Sequence, residues 1–297
     1  MKAIGQKIQY YGAVTLPLIT PYFKLVRLNN ACMAAATVCL GFWIGRSSLP
    51  FSSLIGLCIA AGAATAFGNV VNDMRDIATD RISHPDRPLV RGKLTMRAAG
   101  LFALLLALLS AGIASLVSTT HLVATIIPLL LLLLYTRFLK STPLSGNITV
   151  SLLVAYPLLY GGLLAPALHR LFVPASAAFL ANGLREIVKD LQDEPGDRAA
   201  GLVTTAVLPQ SVINALVIGT SILFLALLPV PILLHQFGLP YALVCLFGIA
   251  PMHGFWMVQW AIHGRKHQLP LLSALLKWEM LLGLLAMAGD QVISVTL

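Results

Sequence analysis

Two short runs of this 297-residue chain concentrate the residues able to do chemistry. The first carries Asn69, Asn72, Asp73, Asp76 and Asp80 and continues through Pro85, Arg87, Pro88 and Arg91. If one helix runs on to Asp80, at about 100° per residue Asn69, Asp73, Asp76 and Asp80 fall within an arc of about 60°, with Asn72 nearby. Three carboxylates on one stripe repel one another unless something positive lies between them. Hard divalent cations prefer such oxygen ligands, and Mg²⁺ takes one or two carboxylates plus substrate phosphates. The second run carries Arg185, Glu186, Lys189, Asp190, Asp193, Glu194 and Asp197. Arg185, Lys189 and Asp193, spaced by four, share a helix face. Pro195 and Gly196 are expected to stop that helix, so that Asp197 reaches back from a turn. A stripe mixing cations with carboxylates suits a diphosphate, whose oxygens are shared between Mg²⁺ and direct Lys or Arg contacts. The competing reading is a solvated loop, its charge balanced by Arg75, Arg81 and Arg87. Two such clusters, each at the mouth of an apolar segment, weigh against it.

The elements that position these runs are transmembrane helices. The chain is 58% hydrophobic and 10% charged, against about 25% charged residues in a soluble domain. Its apolar residues come in continuous blocks of about twenty, the length a helix needs to cross a hydrocarbon core. Alternating polarity, the mark of a barrel strand, is absent. The expected fold is all-α, a polytopic membrane protein of about nine spans, near 25–45, 51–72, 95–117, 119–137, 148–165, 172–190, 203–229, 239–262 and 271–295, in a single domain over 1–297. Spans one to four and five to eight are compatible with two repeats, although the sequence has no evident self-similarity. Pro85 and Pro88 mark a turn that ends the first polar helix.

Charge gives an orientation. With the N-terminus inside, the loops near 73–94, 138–147, 191–202 and 263–270 face the cytoplasm and, with their flanks, hold nearly all the Lys and Arg. Only Arg46 and Arg170 fall on the other side, as the positive-inside rule requires. Nine of the eleven acidic residues lie in the two polar runs, both on that cytoplasmic side. The net charge of +9 is thus explained by topology, and no nucleic-acid partner is expected. Cys32, Cys39, Cys58 and Cys245 lie in apolar blocks without CxxC spacing and read as packing residues. The stretch Tyr10–Phe23, interrupted by Pro17 and Pro21 and followed by no convincing cleavage site, reads as an interfacial segment, with a signal peptide as the less favoured alternative.

The run Asn72-Asp73-x-x-Asp76-x-x-x-Asp80, followed by Arg87-Pro88, resembles the first signature of the UbiA superfamily of intramembrane prenyltransferases. Lys189, Asp193 and Asp197 resemble its second. The resemblance implies a nine-helix bundle around a central cavity that opens laterally to lipid. It also implies that Asp73, Asp76, Asp80, Asp193 and Asp197 hold Mg²⁺ and the diphosphate of an isoprenoid donor. Asn72 matches the first motif by position, and Lys189 the second. Many members carry Tyr four residues before that lysine, where this chain has Arg185. The wording Arg185-Glu186-Ile-x-Lys189-Asp190 resembles the digeranylgeranylglyceryl phosphate synthase branch. That implies an acidic lipid alcohol as acceptor, with geranylgeranyl diphosphate as donor.

Asp76, Asp193 and Lys189 are the expected catalytic centre. Asn69, Asn72, Arg87, Lys140, Arg185, Arg27 and Asn30 are the expected substrate contacts. Lys140 also reads as a positive-inside anchor, and Arg87 and Arg91 as holders of an acidic acceptor or of the leaving diphosphate. His253 reads as a residue hydrogen-bonded within the bundle, and His263 and His267 as loop residues beside Arg265 and Lys266. No GxSxG, HExxH, Walker or GxGxxG arrangement supports a hydrolase, zinc or nucleotide site. Prenylation of an aromatic quinone precursor or a tetrapyrrole, and cyclisation without an acceptor, are the alternative chemistries. A transporter of Mg²⁺ or of a phosphorylated lipid is the non-enzymatic one, and it would need acidic residues along a path between the two faces.

Overall fold

The computed structural model describes residues 19–264 and 268–296. Residues 10–18 of the expected interfacial segment, and Arg265, Lys266 and His267, lie outside them. Among the described residues the architecture is all-helical. Seven helical segments are long and apolar enough to cross a membrane: Phe51–Arg75, Met96–Val117, Thr119–Leu139, Leu168–Ala199, Gln210–Leu233, Leu239–His263 and Leu269–Ile293. An eighth span is a bent pair, α1 (Ile19–Val26) and α2 (Leu28–Ile44), which meet at 49°.

The elements that matter for the site follow in chain order. They are α3 (Phe51–Arg75), α4 (Ile77–Ser83), α5 (Met96–Val117), α6 (Thr119–Leu134), α7 (Ser145–Gly161) and α8 (Phe172–Ala199). After them come α9 (Gln210–Leu227), α10 (Val230–Leu233), α11 (Leu239–Val244), α12 (Ala250–His263) and α13 (Leu269–Thr296). The expected fifth span is α7, at 17 residues the short one. At 1.5 Å per residue it is about 25 Å long, less than the roughly 30 Å of a hydrocarbon core. By length the bundle therefore has seven or eight spans, and the ninth helix is set among the others.

Lipid tails are as apolar as leucine, so helices in a membrane associate through close packing and polar links instead of by expelling water. Both devices are visible. α2 crosses α7 with backbones touching: a Cβ on Gly41 would overlap the Leu158 carbonyl, and one on Gly161 would overlap that of Val38. Ser110 Oγ on α5 donates to the Ala60 carbonyl of α3 at 2.7 Å. Tyr156 on α7 donates to the Ala124 carbonyl of α6 at 2.6 Å. His253 is buried on α12, its Nδ1 2.8 Å from Glu279 Oε2 on α13 and its ring stacked on Trp256. It is hydrogen-bonded within the bundle, as its surroundings in the sequence suggested. The four cysteines are free thiols.

Three local features aim the site. Arg27, between α1 and α2, adopts φ 50° and ψ 65°, a left-handed conformation uncommon outside glycine. The turn Tyr135–Leu139 that continues α6 is a π-helix, a local widening frequently found at functional sites; it delivers Lys140. The helix α8 does not stop at Pro195 and Gly196, contrary to expectation, but runs through Pro195 to Ala199. Proline's fixed φ is itself helical, and the ring removes only one N–H from the ladder.

Candidate functional site

The first half of the site lies where α3 meets α4. The helix expected to run unbroken to Asp80 is interrupted at Asp76, whose φ and ψ are −88° and 7°. The hydrogen-bond ladder nonetheless passes the break: Asp76 N–H donates to the Asn72 carbonyl at 2.9 Å, and Asp80 N–H to that of Asp76 at 2.7 Å. The acidic stripe therefore survives. Asp73, Asp76 and Asp80 are 2%, 7% and 3% exposed. A buried carboxylate is costly unless paired, and each of these is paired. Arg27 contacts Asp73, and Arg87 bridges Asp80 and Asp73, the latter at 3.1 Å. Lys140 contacts Asp76.

Two asparagines orient this half. Asn72 Nδ2 donates to Asp76 Oδ2 at 2.7 Å while its Oδ1 accepts from Lys140 at 3.3 Å. Asn69 Nδ2 donates to the Val26 carbonyl at 2.9 Å. That bond holds the end of α1 at the bend and so supports Arg27. Asp80 lies outside the membrane-spanning segments. Burial pushes its carboxyl above the usual carboxylate range, Arg87 pulls it back, and Asp76 adds to the rise.

The second half is built on α8 alone. Because α8 continues, Lys189, Asp193 and Asp197 follow one another at intervals of four along a single stripe. Glu186 is buried, with Arg185 Nη1 and Lys189 Nζ each 3.0 Å from its carboxylate. Asp190 faces the other way: it accepts from Asn147 Nδ2 at 3.0 Å and from the Thr205 N–H at 3.1 Å, and Thr205 Oγ1 donates to Asn147 Oδ1 at 2.6 Å. That triad ties α8 to α7 and to the loop after it. Asp197 is buried at 7% exposure, and no cation among the described residues forms a salt bridge with it or with Asp193.

The two halves converge because α4 packs against α8. Asp197 lies within electrostatic reach of Asp193, Lys140, Asp190 and Asp76. Beneath them is a cavity of about 870 Å³, near the upper end for small-molecule sites, about 300–1,000 Å³. Arg27, Asn30, Asn69, Asn72, Arg185 and Lys189 line it, and its deeper walls are apolar, with Val150, Val154, Phe224 and Leu228. Asp76 and Lys140 join its polar end through Asn72, and Asp73 through Arg27. Arg91 is apart from this cluster, exposed and paired with Asp86.

The donor set fits Mg²⁺, which favours carboxylate and carbonyl oxygens and needs only one or two from protein when phosphates and water supply the rest. A complete protein cage is not formed: no group of three acidic, His or Cys side chains among the described residues is arranged as a metal site. Arg87 and Lys140 stand between the first-motif carboxylates, where they offset the repulsion that the bare stripe would carry.

Glu186 lines the cavity and organises Arg185 and Lys189. Two residues with a place in the site were not singled out from sequence as contacts. Tyr135 lines the cavity at the start of the π turn. Lys277, on α13, also lines the cavity. The signal for Lys277 was present as a solitary lysine within an apolar span, which by the cost of burying charge in a membrane points to a polar path.

Comparison with known proteins bears on the whole chain. A model of the UbiA prenyltransferase family matches residues 34–281. Digeranylgeranylglyceryl phosphate synthase of Methanopyrus kandleri is 36% identical over 230 residues, 76% of this chain and 83% of that protein. The enzyme of the same name from Methanoculleus marisnigri is 36% identical over 188 residues, 63% of this chain and 67% of that protein. A solved structure of digeranylgeranylglyceryl phosphate synthase superposes with a TM-score of 0.78 at 25% identity, covering 93% of this chain and 99% of the other. A UbiA homolog from Archaeoglobus fulgidus, bound to GPP and Mg²⁺, superposes with a TM-score of 0.68 at 18% identity, covering 90% of this chain and 99% of that one. The last likeness is one of fold.

Proposed function

We propose a function from the premise that this chain belongs to the UbiA prenyltransferase family: it transfers a prenyl group, geranylgeranyl, from its diphosphate to geranylgeranylglyceryl phosphate, forming an ether lipid. The observation that carries this reading is the meeting of two aspartate-bearing stripes at the polar end of a mostly apolar cavity. A diphosphate fits the polar end and an isoprenoid tail the apolar one. The synthases of Methanopyrus kandleri and Methanoculleus marisnigri support the choice of acceptor.

In this reading Asp73, Asp76, Asp80, Asp193 and Asp197 would hold Mg²⁺, directly or through water, as the Mg²⁺ bound by the Archaeoglobus fulgidus homolog suggests by analogy of fold. Bound there, Mg²⁺ supplies the positive charge that offsets the negative charge gathering on the leaving diphosphate. Lys140 and Lys189 contact diphosphate oxygens directly, Arg185 faces a substrate phosphate, and Arg87 steadies the Asp73–Asp80 pair. Such donors, already in place before the bond breaks, are worth most in a site from which water is excluded. The bond between C1 and the diphosphate oxygen breaks, and its electron pair leaves with the diphosphate. The apolar walls keep water from the allylic cation. The acceptor hydroxyl oxygen forms the new C–O bond and releases its proton. Arg27 and Asn30, on the other side of the polar end, border the acceptor.

The orientation that supports this reading puts the polar end of the cavity at the cytoplasmic face of the cell membrane, where the loops rich in Lys and Arg lie. The deciding experiment incubates proteoliposomes with geranylgeranyl diphosphate, Mg²⁺ and one acceptor at a time, and weighs the product. Growth of product mass with geranylgeranylglyceryl phosphate is expected. Product only with an aromatic or tetrapyrrole acceptor, cyclised donor alone, or ion flux without diphosphate release would each replace the reading.

A further inference from the structure

The cavity carries more positive charge than the donor reading uses. At the first half of the site three carboxylates meet three cations: Arg27, Arg87 and Lys140. Along α8 and α13 the balance is different. Arg185, Lys189 and Lys277 line the cavity beside Glu186, while Glu279, the other carboxylate of the lining, is engaged by the buried His253. Glu186 is 6% exposed and already bound by Arg185 and Lys189, each at 3.0 Å. Lys277 has Arg185 as its strongest electrostatic neighbour, with Lys189 repelling it and Glu186 attracting it more weakly. Three cations and one carboxylate leave two positive charges in excess. The Nε of Arg185 is, in addition, buried without a hydrogen-bond partner.

The place of Lys277 sharpens the point. It stands eight residues into α13, about 12 Å along the helix, with Leu275, Leu276 and Trp278 around it. A lysine at that depth in a span is unfavourable unless a polar path or a partner receives it. Snorkelling to the membrane surface would relieve the cost of depth. It gives no reason to place the lysine beside two other cations.

We propose that Lys277, together with Arg185, binds a phosphate monoester, the phosphate of the lipid alcohol that accepts the prenyl group. This rests on the reading of the acceptor given above and adds a specificity-determining residue to it. A phosphate monoester carries about −1.5 to −2 charge near neutral pH, which matches the excess. Arg185 offers a planar fork and Lys277 a point charge on a flexible stem. An acceptor without the phosphate leaves the excess positive charge beside Glu186 unmatched, so the same residues that hold the right acceptor select against the wrong one. The donor's diphosphate stays with the aspartate stripes, Lys140 and Lys189.

The test measures binding and turnover separately. Purified protein in detergent, without donor or Mg²⁺, is titrated with geranylgeranylglyceryl phosphate and with its dephosphorylated alcohol. The wild type is expected to prefer the phosphate about tenfold or more, one lost charge-assisted contact being worth about that factor. Lys277→Met should remove the preference and Lys277→Arg should keep most of it. In turnover, Lys277→Met should raise the KM for the acceptor and leave the KM for the donor unchanged, with an unaltered unfolding temperature. Tight binding of the phosphate by Lys277→Met, or a rise in donor KM instead, overturns the assignment. Equal, Lys277-dependent binding of phosphatidic acid, which has no free hydroxyl, would make this a general lipid-phosphate site and also overturn it. If the wild type binds the phosphorylated alcohol with the expected preference yet makes no prenylated product, the proposed function falls and the subsite stands. Absence of the preference, with transfer intact, sinks the subsite alone.

Discussion

The two halves of the site keep carboxylates beside a hydrocarbon cavity by opposite means. Around α3 and α4, each buried aspartate faces a cation brought from another segment: Arg27 is 46 residues from Asp73, and Lys140 is 64 from Asp76. On α8 the pairing is local, Glu186 with its neighbours Arg185 and Lys189, while Asp193 and Asp197 form no salt bridge among the described residues. The first half is thus charge-balanced through its tertiary contacts. The second gathers its cations on one residue and leaves two carboxylates for another partner. A Mg²⁺–diphosphate complex suits both: its phosphates compete for the cations of the first half, and its metal draws the carboxylates of the second.

That contrast can be tested in order of expected effect. Asp76→Asn and Asp193→Asn should each lower Mg²⁺-dependent transfer by about 10²–10³-fold or more, the loss seen when one preorganised electrostatic contact is removed. Steady-state rates in proteoliposomes measure this, with membrane insertion as the control; full activity of either variant would dissolve the two-half site. The halves should then differ in their response to Mg²⁺. Asp193→Asn is expected to raise the half-saturating Mg²⁺ concentration about 10-fold or more, since ligand-shell changes typically cost 10–100-fold in affinity. Lys140→Met is expected to leave it lower or unchanged, because Lys140 competes for Asp76. A rise with Lys140→Met would mean that the lysine assists the metal.

Acid offers a third probe. Burial raises the Asp80 carboxyl and Arg87 restrains that rise. For a group raised in the folded state, folding is favoured below the unfolded value, 3.8, and that contribution is lost as pH rises through the folded value. Metal binding runs the other way, because it needs the ionised form. Mg²⁺ activation should therefore fail on acidification above the pH of an ordinary carboxylate. Arg87→Gln should move that failure to still higher pH, and a Mg²⁺ titration across pH measures it; a shift to lower pH would show that Arg87 does not hold Asp80 ionised. The smallest effect concerns support. Asn147→Ala removes one of the bonds to Asp190 and should cost about 1–3 kcal/mol of stability, read by thermal unfolding in detergent. Activity per folded molecule should change little, since Asp190 points away from the stripe.

Much of this was legible in the chain. Blocks of about twenty apolar residues gave the helical, multi-pass architecture, because the length of a span is set by the membrane and not by neighbouring helices. Residues four apart share a helix face wherever the helix goes, so the stripes Asn69–Asp80 and Arg185–Asp193 could be drawn in advance. Prediction failed where local rules met tertiary support. Pro195 should have ended a helix, but α8 continues, with α4 packed against it. An unbroken helix was drawn to Asp80, yet the backbone turns at Asp76. The expected fifth span emerged as the short helix α7, a length that hydropathy alone did not resolve.

By itself the sequence determined which groups would stand on one side of each helix, since covalent spacing and helical pitch fix that. Only the tertiary structure decided which cation faces which carboxylate. Salt bridges between Arg27 and Asp73, or Lys140 and Asp76, depend on where the bend at Arg27 and the π turn at Tyr135–Leu139 direct the chain. It also decided that Lys277, a single lysine in the last span, lies beside Arg185 and Lys189. Electrostatic energy depends on distance in space, and that distance is set by how helices pack, not by their separation along the chain.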